Sequence, residues 1–90
     1  MARVSLRLPA LLVDLVGEET LDLDAATPTD ALAAAARSVP ALRTHLFDAA
    51  GELRQHVLCF KNEHALRGDG LREPLVDGDR LRIHQAVSGG

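Results

Sequence analysis

Both ends of this 90-residue sequence alternate between apolar and polar residues, once over residues 3–8 and again over residues 80–86. In the second segment Leu81 and Ile83 share one face, while arginine and histidine occupy the other. A period of two is the signature of a half-buried β-strand. The pattern therefore predicts a first and a last strand, which can lie side by side at the centre of one sheet.

A second strand is predicted soon after the first. Pro9 ends the first strand, and residues 20–24 alternate again with Leu21 and Leu23 on the inward face. We expect the residues between the two strands to form a loop around Gly17. The first two strands then make a hairpin.

One main helix is predicted after this hairpin. Thr27 is a suitable N-cap and Pro28 suits the first helical position. Small and apolar residues then recur at helical spacing until Pro40 ends the helix. Residues 40–47 fit a further short helical turn, and residues 56–61 are rich in strand formers.

This order of elements predicts an α+β fold, with one main helix packed across a mixed sheet of four to five strands. A chain of this length is one domain, so we expect residues 1–86 to form it and residues 87–90 to be a flexible tail. The apolar run at residues 10–13 is interrupted by Asp14, which argues against a secretory signal. The single cysteine demands no oxidising compartment, so we expect a cytoplasmic protein.

Charge and composition narrow the class of partner. The net charge is −3 and there is no Trp or Tyr, which argues against nucleic-acid binding. The near-balanced hydropathy argues against a membrane-spanning chain. We expect a small monomer that docks transiently on other proteins.

Basic residues are concentrated on the exposed sides of the first and last strands, whereas residues 8–36 contain no Lys or Arg. If the two strands are neighbours, they form a basic patch, with the acidic stretch elsewhere, that suits an acidic groove on a partner. The arginines of this patch are Arg3, Arg7, Arg80 and Arg82. His84, Ala86 and Cys59 are further candidates for contact with the partner.

Cysteine and histidine do not predict a metal site. His56 and His64 flank Cys59, but the spacing does not suit zinc coordination and there is no second cysteine. We expect Cys59 to pack in or beside the sheet.

The sequence ends in Val87, Ser88, Gly89 and Gly90. Extended, four residues reach roughly 13 Å, which is enough to carry a carboxylate into another protein's active site. Glycine has no Cβ and so fits a narrow channel. Taken alone, a Gly-Gly ending is equally compatible with a frayed terminus.

Residues 75–90 resemble the C-terminal signature of the MoaD/ThiS family of ubiquitin-like sulfur carriers, in which an Asp-Gly-Asp turn leads into the last strand and a terminal Gly-Gly. The resemblance implies a β-grasp fold. It also implies that a ubiquitin-activating-enzyme-like adenylyltransferase uses ATP with Mg²⁺ to adenylate the Gly90 carboxylate. Sulfur from a donor then gives a thiocarboxylate, which passes it to a biosynthetic enzyme. The carrier is a co-substrate without a catalytic side chain or a permanently bound cofactor.

Within that family the chain is most similar to the longer, CysO-like carriers, which are used for cysteine biosynthesis or recruited to other sulfur transfers that make thio-metabolites or cofactors. His84, Gln85 and Ala86 stand where molybdopterin-synthase small subunits usually have Phe-Pro-Pro, and thiamine-pathway carriers lack a segment comparable to residues 40–55. Two alternatives remain open. One is a protein modifier conjugated through Gly90 to lysine, and the other is a noncovalent ubiquitin-like interaction module.

Overall fold

The computed structural model describes residues 1–85, which form a five-stranded mixed sheet with the strand order β2-β1-β5-β3-β4. The strands are β1 (Ala2–Arg7), β2 (Thr20–Ala25), β3 (Val57–Lys61), β4 (His64–Leu66) and β5 (Arg80–Gln85). β1 and β5 are parallel neighbours at the centre, as expected, and the other pairs are antiparallel. Ala86 and the predicted tail, residues 87–90, lie outside the described residues.

Three α-helices and one 3₁₀ turn complete the described part of the chain: α1 (Ala10–Val16), α2 (Pro28–Ser38), α3 (Ala41–Leu46) and the turn at Gly68–Arg72. The predicted start of the main helix is confirmed, because the Thr27 side chain accepts a 3.2 Å hydrogen bond from the Asp30 N–H. Among residues 1–85, no helix has the length and apolar character needed to cross a membrane.

The hydrophobic core lies on one face of the sheet, between the strands and the helices. Alternate residues of β1 and β5 point into it, including Leu6, Leu81 and Ile83. α2 contributes Leu32 and small alanines that let it pack closely on the sheet. No helix within residues 1–85 covers the opposite face of the sheet, and the candidate site lies there.

The expected loop between β1 and β2 is wrong, because residues 10–16 form α1. Pro9 occupies the N-cap position. At the other end Gly17 adopts a left-handed conformation (φ 86°), and its N–H donates a 2.7 Å hydrogen bond to the Val13 carbonyl. Leu12 is fully buried, so packing on the core stabilises a helix that is too short to be stable alone. The Pro and Gly that indicate a loop therefore act as helix ends.

A short strand, β4, also follows β3 without a strong sequence signal. The turn between them is formed by Asn62 and Glu63, both with positive φ (48° and 79°). Two such residues suit a tight hairpin, which brings Ala65 opposite Phe60.

Candidate functional site

The exposed side of β5 carries three of the predicted contact residues. Arg80, Arg82 and His84 point to solvent, while the alternate residues of the strand are buried. Gln85 is the last described residue of β5, and Ala86 and then the predicted tail follow it in the sequence. A partner that receives the tail has to approach the domain beside these side chains.

The register of the two central strands decides which arginines are neighbours. Arg7 lies opposite Arg82, and Ser5 lies opposite Arg80. Arg7, Arg80 and Arg82 also line one shallow depression of about 300 Å³ on this face. Arg3 is not part of that lining, because it lies at the other end of β1. The predicted patch of four arginines is therefore a cluster of three.

The expectation that the acidic stretch lies elsewhere is wrong. β2 runs antiparallel beside β1, and Asp24 of β2 and Glu19, which directly precedes β2, lie beside arginines of β1. Arg3 Nη1 lies 3.3 Å from Asp24 Oδ2, and Arg7 Nη2 lies 2.8 Å from Glu19 Oε1. All four side chains are more than half exposed, so each pair adds at most about 1 kcal/mol to stability.

Arg80 and Arg82 are thus the cations of this face that remain available to a partner. Within residues 1–85, neither has an acidic group at salt-bridge distance. Arg82 stacks on Phe60 instead, with its guanidinium carbon 4.8 Å from the ring centroid. Positive charge on this side of the molecule is therefore concentrated along the first half of β5, with Arg80 at its start and Arg82 two residues further on.

Phe60 is a site residue that sequence reasoning missed. Its ring lies on the exposed face of the sheet, and the His84 ring meets it edge-on with centroids 6.5 Å apart and an interplanar angle of 84°. The antiparallel register sets this contact, since Phe60 lies opposite Arg82 and Leu58 lies opposite His84. The available signal is the alternation within β3, where burial of Val57 and Cys59 turns Leu58 and Phe60 outward.

We call this surface the β5 face. Its members are Arg7, Phe60, Arg80, Arg82 and His84. It combines a partly exposed aromatic ring with cations, which is the combination enriched at protein interaction hot spots. The arrangement can therefore bind an acidic protein surface beside the emerging tail.

Cys59 does not belong to the β5 face, and its predicted contact with a partner is wrong. It points to the opposite side of the sheet and is only 1% exposed. Burial raises the pKa of its thiol to about 11. The thiol is therefore a core side chain and a poor nucleophile at neutral pH. Among residues 1–85, no group of three or more His, Cys, Asp or Glu residues is arranged to hold a metal ion.

Hydrogen bonds to Arg3, Val76 and Asn62 hold the turn that precedes β5 in place. The Gly78 N–H donates to the Arg3 carbonyl (2.9 Å), and the Arg3 N–H donates to Asp77 Oδ1 (2.7 Å). The buried Asp79 carboxylate accepts from the Val76 N–H and from the Asn62 side chain, both at 2.9 Å. Gly78 has a φ of 91°, which favours glycine at that position. The Asp-Gly-Asp turn is therefore structural, because it holds β5 in register.

A mixed sheet packed on one main helix, with an uncovered face beside the C-terminal strand, defines a ubiquitin-like protein of the β-grasp fold. The sequence pattern of the ThiS family matches residues 6–90. The chain belongs to the ThiS family, and the predicted family resemblance and fold are confirmed.

Comparison with individual proteins agrees with this assignment. The chain is 36% identical to small archaeal modifier protein 1 of Haloferax volcanii in an alignment 87 residues long that covers 93% of this chain and 97% of that protein. The crystal structure of SAMP1 from the same organism has a TM-score of 0.87 at 34% identity, covering 99% of this chain and 100% of that one. A chain of the Amycolatopsis orientalis BexX/CysO complex has a TM-score of 0.82 at 25% identity, covering 97% and 99%.

Proposed function

We propose that this protein is a sulfur carrier whose Gly90 carboxylate is activated and converted to a thiocarboxylate. The observation that carries the proposal is the direct connection, within a ThiS family member, between β5 with its cationic and aromatic face and the sequence Val87-Ser88-Gly89-Gly90. In this scheme the β5 face docks and the tail reacts. We expect the reaction to take place in the cytoplasm.

The chemistry needs no side chain from the carrier. A carboxylate oxygen of Gly90 attacks the α-phosphorus of ATP, and pyrophosphate leaves. Hydrosulfide then attacks the carbonyl carbon, the bond to AMP breaks, and a thiocarboxylate remains. ATP and Mg²⁺ belong to the partner adenylyltransferase, and the carrier acts as its co-substrate. Enclosure of the tail in that enzyme's active site excludes water and positions the sulfur nucleophile.

The direct test is intact-protein mass spectrometry after incubation with ATP, Mg²⁺, sulfide and a ubiquitin-activating-enzyme-like adenylyltransferase from the same organism. The expected product has one oxygen replaced by sulfur, located in the C-terminal peptide. A variant without Gly90 and a variant with one alanine appended after Gly90 are the matched controls, and both should stay unmodified. Absence of the product from the wild-type chain, although the enzyme binds it, would argue against the proposal.

A second candidate function is protein modification, in which the activated Gly90 is transferred to a lysine amine. The similarity to a protein named as a small archaeal modifier favours it. Because residues 83–90 contain neither Lys nor Arg, trypsin would cut after Arg82 and leave these eight residues on the modified lysine. Peptides that carry this remnant in extracts of the source organism would support conjugation.

Self-conjugation is limited in this second scheme. Lys61 is the one lysine in the sequence, and it is only partly exposed at the end of β3. A biological activity that survives removal of Gly90 would instead indicate the noncovalent interaction module.

A further inference from the structure

One edge of β5 is unpaired where the strand approaches the tail. β1 accompanies β5 only as far as Arg82, which lies opposite Arg7. On its other side β5 is paired with β3 as far as Gln85, which lies opposite Val57. Beyond Arg82, β5 therefore has a paired strand on the β3 side only, although by the same register the Ile83 N–H still faces the Arg7 carbonyl.

The alternation of backbone hydrogen bonds shows which groups face this free edge. The Ser5 N–H donates to the Asp79 carbonyl (3.2 Å), so odd-numbered residues of both strands direct their backbone groups at one another. The even-numbered Arg80 faces β3 instead, since its carbonyl accepts from the Asn62 N–H (2.9 Å). By the same alternation, the Ile83 carbonyl and the Gln85 N–H point past the end of β1.

Pro9 is the residue that would continue the pairing of β1 with β5. It can supply neither a donor for the Ile83 carbonyl nor an acceptor for the Gln85 N–H. Proline has no N–H to donate to the Ile83 carbonyl. The Pro9 carbonyl is already used, because it accepts from the N–H groups of Leu12 (2.9 Å) and Val13 (3.0 Å) at the start of α1. Within residues 1–85, no other turn or loop backbone group bonds to Ile83 or Gln85. Among the described residues, the Ile83 carbonyl and the Gln85 N–H at this edge thus have no backbone partner.

A cavity of about 760 Å³ lies along this edge, between the start of α1 and the end of β5. We call it the α1 notch. Its lining includes Pro9, Ala10, Val13, Ile83 and His84. On the α1 side the notch is lined by the apolar side chains of Ala10 and Val13 together with Asp14, and Arg7, Glu19 and Arg82 add charged groups to the lining. An added strand would be sheltered from water only where it meets Ala10 and Val13.

We propose that an extended backbone segment of the partner adenylyltransferase adds to β5 in the α1 notch. Its N–H donates to the Ile83 carbonyl, and its carbonyl accepts from the Gln85 N–H. An unpaired strand edge is a template for such addition, and the hydrogen bonds do not depend on the partner's side chains. This inference rests on the proposed function, because the enzyme that takes up the tail must approach the residues that precede it.

The added strand would also direct the tail. Gln85 is the paired residue and only Ala86 separates it from the predicted tail, so fixing its backbone constrains the direction in which the chain leaves the domain. The β5 face would supply side-chain contacts to the partner, and backbone pairing in the α1 notch would align the chain that leads to the tail. Alignment of the reacting carboxylate lowers the entropic part of the barrier to such a transfer.

Gln85→Pro and Gln85→Ala form a matched pair that tests the notch. Proline removes the N–H that faces the notch. The backbone hydrogen bonds between β5 and β3 are kept, because Gln85 makes none on the β3 side. Alanine removes the side chain and keeps the N–H. We expect Gln85→Pro to bind the adenylyltransferase at least about tenfold more weakly than Gln85→Ala, which serves as the reference for loss of the side chain alone. Equal affinities of the two variants would overturn the proposal.

Amide hydrogen exchange of the wild-type protein gives a second measurement that does not depend on how the proline variant folds. The Gln85 amide should exchange rapidly in the free protein and become protected in the complex. Lack of protection in the complex would overturn the proposal. Protection already present in the free protein would also overturn it, because the chain itself or a second copy would then fill the notch. Failure of the proposed function is distinguishable, since the wild-type chain would then give no thiocarboxylate at all.

Discussion

Asn62 and Asp79 are joined by a 2.9 Å hydrogen bond from the side-chain amide of Asn62 to the Asp79 carboxylate. The other carboxylate oxygen accepts from the Val76 N–H, and the Asn62 side-chain oxygen accepts from the Arg80 N–H, both at 2.9 Å. The turn between β3 and β4 is thereby tied to the turn that begins β5. Two residues distant in sequence thus set the position of the strand that leads to the tail.

Asp79→Asn should destabilise the fold in a pH-dependent way. The Val76 N–H lowers the pKa of Asp79 and outweighs the opposing effect of burial, with further lowering by the Asn62 amide and the Lys61 charge. The ionised carboxylate therefore stabilises the folded state at pH values above the ordinary aspartate pKa of about 3.9. This stabilisation is lost as the pH falls through the lower pKa of the folded state. We expect a cost of about 2 kcal/mol at neutral pH, measured by urea unfolding.

The control for this prediction is Asp22→Asn, an exposed aspartate on β2 that forms no salt bridge among residues 1–85. Its free energy of unfolding should change by less than about 0.5 kcal/mol. The difference between wild type and Asp79→Asn should shrink once the pH is well below the ordinary aspartate value. A difference that stays constant from neutral to acidic pH would contradict the account.

Phe60→Ala should weaken partner binding more than it weakens the fold. The ring is partly exposed, and it holds the Arg82 guanidinium at 4.8 Å on the surface that we assign to docking. Aromatic anchors of this kind often contribute 2 kcal/mol or more, so we expect a loss of affinity for the adenylyltransferase of at least about tenfold. Val76→Ala, which truncates an exposed apolar residue outside the β5 face, is the control. Calorimetric titration measures the affinity of both variants for the adenylyltransferase. If Phe60→Ala binds as tightly as Val76→Ala, Phe60 is not part of the interface.

Alternation predicts β1, β2 and β5 because it is a local property, and each buried residue can be assigned from its neighbours in sequence. Phe60 is different, since its position beside Arg82 depends on the register between β3 and β5. The same holds for the pairing of Arg7 with Glu19, which follows from how β2 lies against β1. Residues that meet through strand pairing cannot be identified from periodicity in either strand alone.

α1 shows a second limit of sequence reasoning. Its seven residues are almost all apolar, so no polar face marks a helical period. Pro9 and Gly17 do mark the ends of regular structure, as their residue types indicate. The segment between them is a helix instead of a loop. Tertiary packing of Leu12 decides the conformation, and that contact is invisible to a local rule.

Cys59 should be unreactive in the folded protein. With a pKa of about 11, only about one thiol in a thousand is ionised at pH 8, and the side chain is shielded by the sheet. Alkylation by iodoacetamide, followed by mass spectrometry, should be slow in buffer and fast in concentrated urea. Cys59→Ala should form the Gly90 thiocarboxylate as readily as wild type, because the transfer uses the tail. Rapid labelling of the native protein would show that the thiol is accessible.

Leu12→Ala and Leu11→Ala should differ widely in their effect on stability, although the two residues are adjacent in α1. Leu12 is fully buried, whereas Leu11 is 70% exposed. Truncating Leu12 leaves a cavity in the core and should cost about 3 kcal/mol, while truncating Leu11 should cost less than about 0.5 kcal/mol. Chemical unfolding measures both. Similar costs would mean that α1 does not pack on the core through Leu12. The position of α1 beside the α1 notch would then not be fixed by that packing.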